Sequence, residues 1–366
     1  MSFTRPSFID DIRAEAQSAT AKQQSRNAWR SQVARNPDND LFKIKPADQW
    51  LKETYAKPDV RQLLGTLWHE QELCILFADT NLGKSVLAVQ IGYSLAKNEP
   101  IEPFGSRVGE ALKVLYIDFE LSPEQFKMRY ADSRHGLHHF GENFIRAEFN
   151  PVGDNPLLYD KYDVYVRQKI EEALKATKAQ VLIIDNITCV GNQTGNAAGA
   201  LPLMKNLKAL KAKYNLSVLV LAHTPKRNPY NPITVNDLQG SKMLINFADS
   251  AFAIGQSHTH PATRYIKQIK QRNTGNDYGA EHICLFRIRK QHSFLCLEFL
   301  GYDMEQAHLQ KPGTALSPEI KQRIIELSAQ GLSSRQVAEH LKIGTSTVKR
   351  VLARGREEQE RQLIDS

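Results

Sequence analysis

Short, continuous apolar runs alternate with segments of helical periodicity between about Leu63 and Tyr302. Apolar runs of this length predict strands that are buried on both faces, and the segments between them predict covering helices. The strands are predicted at 73–77, 113–119, 181–184, 217–222, 249–255 and 266–271, and the helices at 85–97, 122–133, 161–177 and 201–214. This alternation predicts an α/β fold with a mostly parallel sheet that includes all six strands. Two later runs, 284–289 and 294–299, are expected to add antiparallel strands at the sheet edge.

The two ends of the chain have a different pattern. Residues 1–62 are polar, with helical composition at 10–34 and a short helix predicted at 47–55, and they offer too little apolar surface for an independent domain. We expect a polar N-terminal arm there, the α/β domain over 63–305 and a linker over 306–317. Residues 318–355 carry three amphipathic segments, which predict a small all-α helix-turn-helix domain before a charged tail over 356–366.

Composition limits the class of protein. The 366 residues carry a formal net charge of +8 and are 41% hydrophobic, which is typical of a soluble protein that can take a polyanionic partner. No apolar run is long enough to span a bilayer, and the N-terminus lacks the apolar segment of a signal peptide. The cysteines, Cys74, Cys189, Cys284 and Cys296, are dispersed. We therefore expect a cytoplasmic protein with reduced, buried thiols and no membrane association.

The loop after the first central strand carries the strongest motif, Ala78-Asp79-Thr80-Asn81-Leu82-Gly83-Lys84-Ser85. A strand, a tight loop, Lys-Ser and a helix form the P-loop pattern, in which backbone N–H groups face a polyphosphate. Nucleotide contacts are expected from Asp79, Thr80, Asn81, Leu82, Gly83, Lys84, Ser85 and Val86. Lys84 would reach the outer phosphates of ATP and Ser85 would hold Mg²⁺. Ala78 departs from the pattern because it replaces the first glycine, which adopts positive φ more easily. A chance Gly-Lys-Ser at a helix start is the alternative.

Acidic residues stand at the ends of two further predicted strands. Asp185 follows an apolar strand and is expected to hold Mg²⁺, with the capping of a loop as the alternative. Glu120 follows the strand 113–119, where a carboxylate can orient and deprotonate an attacking water. Asp118 competes for this role, but we expect its side chain to point to the other side of the strand. The two acids predict hydrolysis as well as nucleotide binding.

Two further strand ends carry candidate residues. His223 follows the apolar strand 217–222 and could sense the γ-phosphate, or it could merely pack the strand end. Lys270 and Arg272 end the strand 266–271, and cations there could reach a phosphate bound by an adjacent subunit. A plain basic strand end is the alternative for this pair.

Taken together, these residues resemble a RecA-fold ATPase of the hexameric replicative-helicase superfamily. The segment 119–125 with Arg129 is similar to the element that carries the catalytic glutamate in DnaB-type helicases, and 270–273 is similar to their strand with a lysine and an arginine finger. Residues 221–227 and 237–242 add a similarity to plasmid RepA-like helicases and to ATPases of mobile elements. Over 63–302, the resemblance implies Lys84 and Ser85 for ATP and Mg²⁺, and Glu120 as base. It also implies Asp185 at the metal, His223 as sensor and Arg272 acting in trans.

Candidate DNA contacts fall in two regions. Residues 186–236 contain no acid, and the loops 189–200 and 224–240 follow strands with nucleotide-sensing residues, so they are expected to face a single strand in a ring channel. Ordinary surface loops and a solvated helix face are the alternatives. Duplex DNA could bind through the helix-turn-helix, although a module for protein contacts is the alternative. The DNA-binding candidates are Lys226, Arg227, Lys242, Ser346, Thr347, Lys349 and Arg350.

The sequence thus predicts an ATP-hydrolysing DNA motor with the cofactors ATP and Mg²⁺. We expect a homo-oligomeric ring, a hexamer, that acts as a replicative helicase of a plasmid or mobile element. One alternative is a DNA-dependent ATPase that loads or remodels partner proteins. Another is an ATP-switched, sequence-specific DNA-binding regulator.

Overall fold

The computed structural model describes residue 23 and residues 42–105, 108–150, 162–186, 197–224, 227–238, 242–310, 318–341, 343–349 and 351–353. The chain divides into two units, Met1–Val60 and Arg61–Ser366. In the first unit, the helix α1 (Ala47–Tyr55) confirms the short helix predicted at 47–55, and it buries none of its residues. The helical composition at 10–34 lies outside the described residues, apart from residue 23.

Within the described part of the second unit, nine strands form one sheet in the order β13-β12-β11-β10-β3-β9-β8-β4-β7. Its strands are β3 (Leu73–Ala78), β4 (Val114–Asp118), β7 (Phe144–Glu148), β8 (Val181–Asp185), β9 (Ser217–His223), β10 (Ser250–Gln256), β11 (Thr263–Lys270), β12 (Ile283–Gln291) and β13 (Phe294–Asp303). Two small hairpins lie apart from it: β1 (Gln62–Leu64) with β2 (Trp68–His69), and β5 (Ala131–Asp132) with β6 (Gly136–Leu137).

The helices of this unit are α2 (Lys84–Lys97), α3 (Pro123–Tyr130), α4 (Tyr162–Thr177), α5 (Ala197–Tyr214), α6 (Lys242–Phe247), α7 (Glu305–His308), α8 (Pro318–Ala329) and α9 (Ser334–His340). Helix α3 begins where its sequence predicts, because Ser122 and Gln125 form a capping box before Pro123. It ends three residues earlier than predicted, since Ala131–Asp132 pair with Gly136–Leu137.

The mostly parallel sheet confirms the predicted fold class, with two differences. The strands from β10 through β3, β9, β8 and β4 to β7 are parallel. The prediction that 266–271 belongs to the parallel set was wrong: β11 is antiparallel to β10. Only residues 257–262 join the two strands, and a parallel crossover needs a dozen or more residues. The second difference is β7 at the outer edge, which was not predicted, because only Phe144 among its five residues is buried.

Apolar side chains cover both faces of the sheet. One face packs against α2 and includes Trp68, Phe104, Tyr116 and Phe286. The other packs against α4 and α5 through Val166, Ile170, Leu174, Met204 and Leu207. The described cysteines, Cys74, Cys284 and Cys296, are buried and free. Among the described helices, none combines the length and apolar character that crossing a membrane requires.

The C-terminal region has a small core of its own. Helices α8 and α9 and the helical residues 345–349 and 351–353 bury Ile324, Leu327, Val337, Ala338 and Val348. Ser333 caps α9 through the predicted capping box with Gln336. The expected all-α arrangement is therefore present at the C-terminus.

Candidate nucleotide site

The P-loop joins β3 to α2 with two residues at positive φ, Asn81 at 63° and Gly83 at 95°. A side chain at Gly83 would be strained by the positive φ, and its Cβ would lie 2.9 Å from the end of the Ile288 side chain, which would have to shift. Ala78 is different, since it is the last residue of β3 and pairs with His223 and Ile254. Its φ is not positive. The missing glycine is therefore compatible with this loop.

Lys84 is buried at the start of α2. Its Nζ donates hydrogen bonds of 3.0 Å to the carbonyl oxygens of Ala78 and Asp79. Burial lowers the pKa of Lys84, and the carboxylates of Asp185, Glu120 and Asp79 oppose that effect. A desolvated ammonium at the start of a helix is suited to bind anionic oxygen.

Asp185 lies at the end of β8 with 1% of its surface exposed. Its Oδ2 accepts a 2.6 Å hydrogen bond from the Tyr116 hydroxyl, whereas its Oδ1 is buried and has no hydrogen-bond partner among the described residues. Burial raises the pKa of Asp185 to about 6, although the hydroxyls of Ser85 and Tyr116 lower it. A buried carboxylate oxygen that lacks a partner, near a serine hydroxyl, fits the shell of Mg²⁺. Asp185 and Ser85 are the residues that would hold this ion.

The carboxylate of Glu120 meets two polar side chains from neighbouring strand ends. Its Oε1 accepts a hydrogen bond from Asn186 Nδ2 and lies 3.4 Å from His223 Nε2. The Asn186 amide also lies 2.9 Å from His223 Nε2. The hydrogen bond with His223 lowers the pKa of Glu120, against the opposing effect of burial. Glu120 is therefore held as a carboxylate, which is the form that can take a proton from water.

Asp118 has a structural role beside this group. Its Oδ1 accepts hydrogen bonds from the backbone N–H groups of Glu120 and Leu121, at 3.0 and 2.9 Å. Its Oδ2 accepts from Arg146 Nε at 2.9 Å, and Arg146 also donates to the Leu121 carbonyl. These bonds fix the turn that presents Glu120. The choice of Glu120 over Asp118 as the candidate base is consistent with this geometry.

Sequence reasoning missed three residues of the site: Asn186, Tyr116 and Arg146. Asn186 was detectable in principle, because it directly follows Asp185 at the same strand end. Tyr116 and Arg146 gave no motif signal, since each is defined by a partner on another strand. The strand ends that carry Ala78, Asp118, Asp185 and His223 form what we call the phosphate edge of the sheet.

Lys270 and Arg272 lie at the opposite edge, which we call the arginine edge. Because β11 is antiparallel to β10, Lys270 pairs with Ala251 near the start of β10. Lys270 Nζ donates to the carbonyl oxygens of Ile245 and Ala248, at the end of α6. Arg272 contacts Asp249, whose other carboxylate oxygen accepts from the N–H of Leu73, the first residue of β3. The length of β3, roughly 17 Å at about 3.3 Å per residue, therefore separates Arg272 from the P-loop.

The DNA-binding candidates have unequal surroundings. The Arg227 side chain is only 8% exposed and donates a hydrogen bond to the Asn231 carbonyl. Most of this side chain is therefore covered in this conformation, and the expected contact of Arg227 with DNA stays a prediction. Ser346 and Lys349 are exposed and Thr347 is half-buried. Lys226, Arg350 and the side chain of Lys242 lie outside the described residues, as do residues 189–196 of the first loop and residues 225–226 and 239–240 of the second.

The described part of the loop after His223 is attached to the core. Lys267 and Glu305 form a buried ion pair, and Lys267 also donates to the Ile233 carbonyl at 2.7 Å. Glu305 accepts from the Ile233 N–H at 2.8 Å. At the start of the loop, the Thr224 hydroxyl donates a hydrogen bond to Asp79 of the P-loop. The loop is thus tied to the nucleotide site at its start and to a buried charge pair at Ile233.

Comparison with known families gives two matches. The model of a family described as AAA domain matches residues 39–229. The model of a homeodomain-like domain matches residues 315–363. They confirm the ATPase core and the C-terminal helix-turn-helix that the sequence predicts.

Comparison with individual proteins adds less. Among solved structures, the chain is similar to a KaiC-like protein from the hyperthermophilic archaeon Pyrococcus horikoshii. The identity is 13%, the match covers 63% of this chain and 91% of that one, and the TM-score is 0.44. The comparison with curated proteins gives no match.

Proposed function

This chain belongs to the AAA domain family, and on that premise we propose that it is an ATP-dependent DNA motor. It forms a ring, hydrolyses ATP between subunits and acts as a replicative-type helicase. The resemblance of residues 63–302 to plasmid RepA-like helicases supports an origin in a plasmid or mobile element.

The residues of the phosphate edge divide the work of hydrolysis. The backbone of residues 79–86 and Lys84 bind the phosphates, and Ser85 and Asp185 hold Mg²⁺, which neutralises charge on the phosphate oxygens when bound. Glu120 orients the attacking water and accepts its proton. Asn186 and His223 hold the Glu120 carboxylate through the contacts described above. His223 also begins the loop that is attached at Ile233, so a change at the phosphate can be passed to that loop.

The observation that carries the shared site is the distance between Arg272 and the P-loop of its own chain. The two are separated by about the length of β3, roughly 17 Å, and the Arg272 side chain is 49% exposed. An exposed guanidinium that is remote from its own nucleotide can act only on one held by another subunit. Head-to-tail contacts of this kind form a ring when the rotation between subunits closes, and a ring is the assembly that we propose.

DNA is the proposed substrate of the motor. The homeodomain-like match supports binding of duplex DNA, and the exposed Ser346 and Lys349 are residue types that contact bases and phosphates. Several copies in a ring would add by avidity. A single strand would pass through the ring channel.

A second candidate function rests on that same C-terminal match. The chain would then be a sequence-specific regulator in which ATP binding is a switch, or an ATPase that loads partner proteins. Both alternatives retain ATP binding at the P-loop, but neither includes separation of DNA strands.

The test is displacement of a labelled strand from forked duplexes with a 3′ or a 5′ tail, with Lys84→Ala as control. The proposal expects ATP-dependent displacement with one tail polarity and none with the Lys84→Ala variant. Active ATPase without displacement on either fork would favour the loader. Sequence-specific duplex binding that persists in Lys84→Ala would favour the regulator.

A further inference from the structure

We infer that Glu72 and Asn273 are positioning residues for Arg272. This inference rests on the proposed function, in which Arg272 acts on the nucleotide of a neighbouring subunit. The two residues do not touch a nucleotide. They hold the backbone from which Arg272 projects.

The segment 271–273 is fixed on both sides of Arg272. Gln271 Oε1 accepts hydrogen bonds from the backbone N–H groups of Arg272 and Asn273, at 2.7 and 3.0 Å. Gln271 Nε2 donates to the Thr66 carbonyl at 2.9 Å. Asn273 Nδ2 donates to Glu72 Oε1 at 2.6 Å. The segment is therefore tied to the turn between β1 and β2 and to the residue before β3.

Glu72 is a buried carboxylate, with 3% of its surface exposed. Its Oε2 accepts from the His69 N–H at 3.0 Å and from the Ser250 hydroxyl at 2.7 Å, while Oε1 accepts from Asn273. Burial of a carboxylate is costly unless donors surround it. Here Asn273 supplies the donor for Oε1, and the His69 ring nitrogen is 3.7 Å from that oxygen. The free-energy cost of burying the Glu72 carboxylate therefore depends on where Asn273 lies.

The tip of Arg272 is held less firmly than its backbone. Its guanidinium lies 3.4 Å from Asp249 Oδ1 and 3.1 Å from the Asn246 carbonyl, and half of the side chain is exposed. A fixed backbone with a releasable tip is the arrangement that a residue acting across an interface needs. The side chain can leave Asp249 for a phosphate while its starting point stays in place, and misplacement of a catalytic group by about 1 Å can cost roughly a hundredfold in rate.

Asn273→Ala tests the inference in the full-length chain, with Ser250→Ala as the matched control. Both variants remove one donor from Glu72, but only Asn273 belongs to the segment of Arg272. We expect Asn273→Ala to lower the kcat of ATP hydrolysis by about tenfold or more, with the KM for ATP unchanged. We expect Ser250→Ala to stay within about twofold of the wild-type kcat while its melting temperature falls as much as that of Asn273→Ala.

The same comparison in an Arg272→Ala background separates positioning from general damage. A positioning role predicts that Asn273→Ala has no further effect once Arg272 is absent. An equal loss in both backgrounds, or an unchanged kcat in Asn273→Ala alone, would overturn the inference. If Arg272→Ala itself hydrolysed ATP at the wild-type rate, the failure would belong to the proposed function, because Arg272 would then have no role to position.

Discussion

The buried carboxylate of Asp185, at the phosphate edge, and that of Glu72, at the arginine edge, differ in their hydrogen bonding. At the phosphate edge, Asp185 Oδ1 and His223 Nδ1 are buried and have no hydrogen-bond partner among the described residues. At the arginine edge, all four carboxylate oxygens of Glu72 and Asp249 accept at least one hydrogen bond. The phosphate edge thus retains buried polar atoms that a ligand could contact, whereas the carboxylates of the arginine edge use their hydrogen bonds to fix the chain.

The contrast indicates different roles. A buried polar atom without a partner is unfavourable in the free protein, so its presence at a strand tip indicates a ligand that completes it. A saturated cluster favours one conformation and binds nothing further. We therefore propose that the phosphate edge receives the nucleotide and the metal, and that the arginine edge presents Arg272 to a neighbouring subunit.

Loss of Arg272 should have the largest effect. In Arg272→Ala, we expect the ATPase kcat of the assembled protein to fall by about 10³-fold or more, because arginine fingers contribute that much to phosphoryl transfer. Binding of a nucleotide analogue should change little. Steady-state ATPase assays measure kcat, and sedimentation verifies that the variant assembles. The control is Arg264→Ala, which changes an arginine of β11, the strand that precedes Arg272. A kcat within threefold of wild type would remove the functional reason for the arginine edge.

Glu120→Gln comes next. The amide keeps the size of the side chain but cannot accept the proton of water, so we expect kcat to fall by roughly 10²- to 10⁴-fold with nucleotide affinity retained. Glu124→Gln, which changes an exposed acid in the following helix, should leave kcat unchanged. Normal turnover by Glu120→Gln would assign the base elsewhere.

Asp185→Asn tests whether the phosphate edge is strained without its ligand. The pKa of Asp185 is raised from 3.8 to about 6. Protonated Asp185 therefore makes its full contribution to the stability of the folded state below pH 3.8, and this contribution is lost as the pH rises through about 6. At pH 7, Asn removes the buried charge, so we expect the nucleotide-free variant to be more stable by up to about 3 kcal/mol, at about 1.4 kcal/mol per pKa unit. Denaturant unfolding measures this gain, which should accompany loss of Mg²⁺-dependent hydrolysis. A less stable variant would contradict the account.

Ala78→Gly should have the smallest effect. Ala78 already has strand geometry, so the glycine of the usual motif gains nothing and costs conformational entropy, about 0.5–1 kcal/mol. We expect a slightly lower melting temperature and a kcat within about twofold of wild type. A large rise in kcat would show that Ala78 distorts the loop.

The phosphate edge could be predicted well from the sequence, because apolar strands end in chemically distinctive residues. Lys84 was predicted from its loop motif and Glu120, Asp185 and His223 from their places at strand ends, and parallel strands bring such ends together. The arginine edge could be predicted only in part. Arg272 was a candidate because of its motif, but the predicted direction of the preceding strand, β11, was wrong, since the short turn after β10 reverses the chain.

The support of Arg272 could not be predicted at all. His69, Glu72 and Asn273 are separated by up to 204 positions in the chain and meet only when β3, β10 and β11 pair. None has a local pattern that indicates its partner, and a glutamate before a strand is ordinarily expected at the surface.

The most direct measurement mixes two inactive variants, Glu120→Gln and Arg272→Ala, each assembled alone and then together. A site made of Glu120 from one subunit and Arg272 from its neighbour can form only in the mixture. With equal amounts and random assembly, we expect about a quarter of the sites to be complete and ATPase activity to return towards that fraction of the wild-type rate. Mixed assemblies that stay as inactive as either variant alone would contradict a site shared between subunits.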